Sequence, residues 1–173
     1  TDCGLTPVPY VEGFESFSTF VQPTCWQFLN QYPNYSYNYP TINDYEPRTG
    51  SKAMYFYTDY YNNPTQVQYA ILPVFSEHIT NLQLSLYSRR DYEYSGTFYI
   101  GYITDPTDES TFVPMVTRTA ASMGDDLYHR DIVDFSNVPV DPDSIAYIAI
   151  GYQNNTYYGW YVDVIEVTLL PDF

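Results

Sequence analysis

Two carboxylates sit where the chain's pattern puts apolar side chains. Trp160-Tyr161-Val162-Asp163-Val164-Ile165-Glu166-Val167-Thr168-Leu169-Leu170 is rich in β-branched and aromatic residues, stops at Pro171, and reads as a long strand. Alternation puts Tyr161, Asp163, Ile165, Val167 and Leu169 on one side, apolar except for Asp163. At the other end, Val11-Glu12-Gly13-Phe14-Glu15-Ser16-Phe17 sets Glu15 on a face with Val11, Gly13 and Phe17. A carboxylate among apolar neighbours is unfavourable unless a cation or several donors satisfy it. One acid on the first strand and one on the last therefore predict a shared buried site, balanced by a metal ion. Calcium takes six to eight oxygens, which Glu15, Asp163, a third candidate Asp44 and carbonyls of the 13–16 and 44–51 loops could supply. The competing reading has the two acids bonded to backbone amides, a Tyr hydroxyl or Arg48.

Other acids have plainer readings. Asp105 to Ser110 could hold a second ion, but reads first as a proline turn with Asp as turn former. Asp125-Asp126 and Asp141-Pro142-Asp143 read as loop acids. Catalysis has little support. His78 precedes a strand, His129 lies on a polar stretch with Asp131, and neither has a nucleophile elbow or a Cys partner. There is no Gly-rich phosphate loop, and among 21 acids some pair is always close.

Aromatic side chains are the other candidate chemistry, because a ring face stacks on pyranose C–H groups while a hydroxyl rim bonds outward. Tyr152, Tyr157, Tyr158 and Trp160 gather around one loop, and Tyr35, Tyr37 and Tyr39 around another. Trp26 and Trp160 sit beside strands, where the competing reading is core packing.

The elements that must position these groups are strands. The chain holds 173 residues with 22 Tyr, 10 Phe and 13 Pro, and no window sustains a helical period. Strands are predicted at 10–17, 53–58, 67–72, 79–88, 96–104, 112–119, 127–135, 144–152 and in the closing segment, with a short one near 26–29. Residues 1–9 form an arm, 18–50 is loop-rich, and Asn62-Asn63-Pro64 makes a turn. Nine or so strands without a helix, repeat or composition shift predict one antiparallel β-sandwich or barrel over 1–173.

A formal charge of −15, with a single Lys (Lys52), disfavours nucleic acid and anionic membrane surfaces and suits cations and neutral sugars. Cys3 and Cys25 either bridge, tying the arm to the first loop, or are separate thiols; neither belongs to a zinc-type cluster. No apolar run reaches the roughly 18 residues of a membrane span. No signal peptide is visible, and the opening Thr1-Asp2-Cys3 says little about the parent protein.

In order and spacing, several segments resemble a known family. Pro9-Tyr10-Val11-Glu12-Gly13-Phe14-Glu15-Ser16 followed by Pro23-Thr24-Cys25-Trp26, then Tyr69-Ala70-Ile71-Leu72-Pro73, Gly101 to Pro114, and the close Tyr161-Val162-Asp163-Val164-Ile165 are similar to MAM-like and cleaved-adhesin modules of Bacteroidetes surface proteins, often found with a choice-of-anchor region. The resemblance spans roughly residues 3–170. It implies an all-β, antiparallel jelly-roll β-sandwich, galactose-binding-domain-like, noncatalytic, with structural calcium near the meeting of first and last strands, so that Glu15 and Asp163 would be ligands. In the family a second Asp commonly follows the first; here that place is Val164, which removes one oxygen ligand. The expected partner is a glycan or an extracellular protein, and the expected setting a monomeric module of a larger multidomain protein at the cell surface. A spacer that binds nothing and a jelly-roll carbohydrate-active enzyme are the rival readings.

Overall fold

The computed structural model describes residues 3–34, 37–58, 65–154 and 158–171. The predicted turn at 62–64, with Tyr35 and Tyr157, lies outside them. The strands are β1 (Tyr10–Glu12), β2 (Gln27–Leu29), β3 (Tyr32–Asn34), β4 (Tyr37–Tyr39), β5 (Thr41–Asn43), β6 (Ala53–Phe56), β7 (Val67–Ile71), β8 (Leu82–Arg90), β9 (Thr97–Ile103), β10 (Phe112–Thr119), β11 (His129–Asp134), β12 (Tyr147–Gln153) and β13 (Trp160–Leu169).

They build a jelly-roll β-sandwich. One sheet runs β11-β8-β13-β6-β5, with β1 also on β13, and the other runs β10-β9-β12-β7-β2; all their pairings are antiparallel. Alternation supplies the layer between them. Leu82, Leu84 and Leu86 of β8 meet Phe98, Ile100 and Tyr102 of β9 and Ile148, Ile150 and Tyr152 of β12 in one buried cluster. The Trp160 indole stacks on Phe98, with centroids 5.5 Å apart and planes 8° apart. Such a pair adds about 0.5–1.5 kcal/mol to the burial itself.

The last strand departs from simple alternation. Pairing of β13 with β8 shifts register between Asp163 and Glu166, and Val164 takes a positive φ of 53°. Trp160 and Val162 point into the core before this bulge, and Ile165 and Val167 after it. The expected common face of Asp163 with Ile165 and Val167 is therefore not found. A bulge inserts one residue and flips the side-chain phase. Asp163 instead lies on the Tyr161 side.

The first strand is also shorter than expected. It ends at Glu12, whose Oε2 accepts the Phe14 amide at 2.8 Å, and Phe14 turns to φ 65° with its ring fully buried. Glu15 is thereby exposed in a loop and does not share an inward face with Val11, Gly13 and Phe17.

Within the stretch expected to be loop, β3 and β4 form a hairpin in which the Tyr32 and Tyr39 rings lie 6.1 Å apart, and β5 joins the first sheet. A single helical turn, Ala120–Met123, capped by Thr119 and Ser122, follows β10 where no helix was expected. Cys3 and Cys25 form a disulfide, and the arm behind it pairs with the chain after β7, the Thr6 amide donating to the Val74 carbonyl at 2.8 Å.

Candidate functional site

The two predicted carboxylates meet one loop. Asp163 is fully buried, and its Oδ2 accepts the amides of Arg48 and Thr49 at 2.9 and 3.2 Å; Oδ1 accepts the Val164 amide at 2.8 Å. Glu15 accepts the amides of Ser51 at 2.7 Å and Lys52 at 2.9 Å, and the Ser51 hydroxyl at 3.1 Å. Gly50, at φ 65°, lies so close beneath Glu15 that a Cβ would stand 2.4 Å from Oε1. The β5–β6 connection thus offers four backbone amides to carboxylates from opposite ends of the chain.

Their electrostatics differ. Burial pushes the Asp163 carboxyl above its usual value, the amides of Thr49, Arg48 and Val164 oppose this, and the charge of Glu15 pushes it up further. For Glu15 desolvation is the largest single effect and raises the pKa, but the amides of Ser51 and Lys52, the Ser51 hydroxyl and the Lys52 charge together outweigh it, and its pKa falls. Arg48 contributes its amide to Asp163, while its guanidinium lies over the Tyr87 ring, 3.6 Å from the centroid.

The fit to a calcium ion is partial. Two carboxylates carry up to four oxygens of the six to eight a calcium takes, and they are near enough to repel. The N–H groups aimed at them are donors, which suit anions. Asp44 is exposed, and no hydrogen bond or ion pair joins it to Glu15 or Asp163. Among the described residues no three His, Cys, Asp or Glu side chains gather as a metal cluster.

Asp105 and Asp108 act as turn formers. Each takes the backbone amide and hydroxyl of the residue two positions on, Thr107 and Ser110, at 2.7–3.0 Å. Both His side chains are occupied locally: His129 Nε2 meets Asp125 at 2.7 Å, and the His78 ring is held between Thr80 and the carbonyls of Asp141 and Ser144.

The predicted aromatic platform is divided. Tyr152 and Trp160 are fully buried core residues, a correction to their expected role as ligand contacts. The reason is phase: Tyr152 faces inward with Ile148 and Ile150, and Trp160 precedes the β13 bulge with its ring on Phe98. The Tyr152 hydroxyl instead accepts the Gly96 amide and donates to the Tyr158 carbonyl, both at 2.7 Å.

Tyr158 stays half-exposed and joins two rings the sequence reading did not single out. Tyr92 is 5.0 Å from Tyr158 and 5.5 Å from Tyr94, and the two are 40% and 58% exposed. The loops that carry them are stitched together. Ser95 Oγ accepts the amides of Asp91 and Tyr92 and donates to the Gly159 carbonyl at 2.9 Å, and the Tyr55 hydroxyl bonds both Asp91 and the Gly159 amide. Beside the triad runs a groove of about 370 Å³ along Tyr94–Thr97 and Thr119–Ala121. The signal for Tyr92 and Tyr94 was present in the sequence as exposed aromatics in the β8–β9 turn, but their contact with Tyr158 is long-range.

No known family matches the chain by sequence, and no curated protein does. Solved structures do. The K2 cleaved adhesin domain of Lys-gingipain superposes with a TM-score of 0.66 at 12% identity, over 94% of this chain and 99% of that one. The K1 cleaved adhesin domain of Lys-gingipain from Porphyromonas gingivalis W83 gives 0.65 at 14% identity, over 95% and 99%. A xylan-binding domain from CBM 22 gives 0.55 at 11% identity, over 95% and 96%. The likeness is one of fold. Among the described residues no helix is long and apolar enough to cross a membrane.

Proposed function

We propose that the chain is a noncatalytic, extracellular binding module of the MAM-like or cleaved-adhesin kind, one part of a larger surface protein, and that it takes a glycan on Tyr92, Tyr94 and Tyr158. The observation that carries this reading is the solvent-open Tyr triad on loops fixed by Ser95 and Tyr55 beside a groove. Open rings give sugars a stacking surface, and locked loops lower the entropic penalty of binding. Two fold neighbours are cleaved adhesin domains and a third is a xylan-binding domain, which supports it, and the acidic surface suits a neutral ligand.

The test is a glycan array followed by titration calorimetry on the best hit, with Tyr92→Ala and Tyr94→Ala compared with the parent. Each variant should weaken binding at least tenfold without altering the melting temperature. No hit on the array, or a hit that both variants bind unchanged, removes the triad from the reading and favours a protein partner or a spacer.

A structural calcium shared by Glu15 and Asp163 is the second part of the proposal. Its support is the mutual repulsion of two carboxylates brought together from the two ends of the chain. The ion would neutralise that repulsion and clamp the loop after β1, together with β13, to the β5–β6 loop.

A further inference from the structure

We propose a second binding site, for a basic peptide segment with an apolar anchor, in the pocket between the N-terminal arm and the β11–β12 connection. The pocket encloses about 330 Å³, at the lower end of ligand-site volumes. Its floor is the end of the core: Phe75, Ile79, Leu82 and Ile148, all buried. It lies at the Leu82 end of β8, and Arg90 at the other end leads into the Tyr92–Tyr94 turn. Nine residues at about 3.4 Å each put the two sites on opposite ends of the sandwich.

Both walls are built and held. One is Leu5, on the arm tethered by the Cys3–Cys25 disulfide and by the pairing of Thr6 with Val74 and Ser76. The other is Ile145, on a loop pinned by His78. Its ring Nδ1 accepts the Thr80 amide, so Nε2 carries the proton and donates to the carbonyls of Asp141 at 2.9 Å and Ser144 at 3.1 Å. Leu5 and Ile145 are 63% and 58% exposed, two aliphatic side chains flanking the mouth instead of completing the core. A second hollow, beyond Ile145 and lined also by Thr104 and Val140, extends the pocket into a groove able to take an extended segment.

Charge selects the occupant. Glu77 and Asp143 rim the pocket, Asp141 lines its extension, and among the described residues no Lys or Arg lines either hollow. The chain as a whole carries −15. A Leu or Phe side chain entering the floor, flanked by Lys or Arg against those acids, satisfies both features, and an acidic segment would be repelled.

The experiment is fluorescence anisotropy at physiological salt with the labelled, amidated peptide Lys-Arg-Leu-Leu-Arg-Lys, its Ser-for-Leu counterpart, and a neutral peptide with Ser for every basic residue. The Leu-containing basic peptide should bind saturably, at least tenfold tighter than either control. Ile145→Ser and Leu5→Ser, both at exposed positions and checked by melting, should each weaken it at least fivefold. Tyr92→Ala should leave it unchanged, which separates this site from the glycan reading. Equal binding of the Ser-for-Leu peptide would show attraction by net charge alone and overturn the proposal, as would equal binding of the neutral peptide or indifference to Ile145→Ser. Concentration-dependent dimerisation abolished by Ile145→Ser would overturn it in favour of a second copy of the chain.

Discussion

Asp163 and Glu15 are bound by neighbouring amides of one loop: Asp163 by Arg48 and Thr49, Glu15 by Ser51 and Lys52. The first and last parts of the sheet are therefore joined through a third segment, and carboxylate-to-amide bonds hold the junction. Bonds with a charged partner contribute about 1.5–3 kcal/mol, more than neutral ones. The junction has one electrostatic flaw, since its two acids repel each other while only one is exposed to solvent.

The proposed calcium would act on that flaw. If the ion joins both carboxylates, the melting temperature rises with added Ca²⁺ and falls with EDTA, because a ligand of the folded state alone stabilises it by mass action. At a free concentration a hundred times the dissociation constant the gain is about 2.7 kcal/mol. Matching melting curves after verified removal of the ion leave the two acids to the loop's own amides and the Ser51 hydroxyl.

The two acids respond to pH with opposite signs. Glu15 has a lowered folded-state pKa, so the stability it contributes is present above its ordinary value of 4.5 and is lost as pH falls through the depressed one. Asp163 has a raised one, so its ionisation opposes folding, and its contribution fades as pH rises through the elevated value. Glu15→Gln is expected to lower the melting temperature at pH 7 and to have progressively less effect below pH 4.5. An effect of equal size at pH 3 and pH 7 would contradict the assignment of charge to these bonds.

Much of this arrangement was legible in the sequence, and the misreadings have local causes. The alternation of Leu82, Leu84 and Leu86 with Gln83, Ser85 and Tyr87 marks β8 without ambiguity, because both faces keep phase for nine residues. The convergence of Glu15 and Asp163 could also be inferred from their places near the first strand and on the last. Their faces could not. Phe14 and Val164 both adopt positive φ, which apolar side chains rarely do; Phe14 follows the end of the first strand, and Val164 reverses the alternation of the last. Trp160 has another cause: core packing was its competing reading, and the partner that decides it, Phe98, lies about sixty residues earlier. The β3–β4 hairpin was obscured by Pro33 and by polar residues between its tyrosines, and its strands find support in Tyr55 and Tyr57 of a later segment.

Val164 is strained where the resembled family commonly has Asp. A β-branched residue in the left-handed region is unfavourable by roughly 1–2 kcal/mol, whereas Asn tolerates it. The bulge persists because Asp163 holds it, taking the Val164 amide and the loop amides together. Val164→Asn should raise the melting temperature by roughly 2–4 °C for each kcal/mol released. Val164→Asp relieves the same strain but adds a third negative charge, so its gain should appear only with calcium present. A fall in melting temperature for Val164→Asn would show that the Val164 side chain contributes more by packing than its backbone loses.

The disulfide ties the pocket wall to overall stability, and the two effects can be separated. Cys3 and Cys25 are 22 residues apart, and closing a loop of that size stabilises by on the order of 3 kcal/mol, chiefly by restricting the unfolded chain. The double variant Cys3→Ser with Cys25→Ser should therefore melt about 6–12 °C lower, taking roughly 2–4 °C per kcal/mol for a chain of this length. Well below that melting point the sandwich is intact, because the core between the sheets contains neither cysteine. The arm is then held by the pairing of Thr6 with Val74 and Ser76, and Leu5 loses its fixed position at the mouth. Binding of the basic, Leu-containing peptide should weaken under those conditions, while glycan binding at the distant Tyr triad stays as it was. Equal peptide affinity with and without the bridge would mean that Thr6 alone positions the wall. An unchanged melting temperature would mean that the unfolded chain is already restrained near its N-terminus.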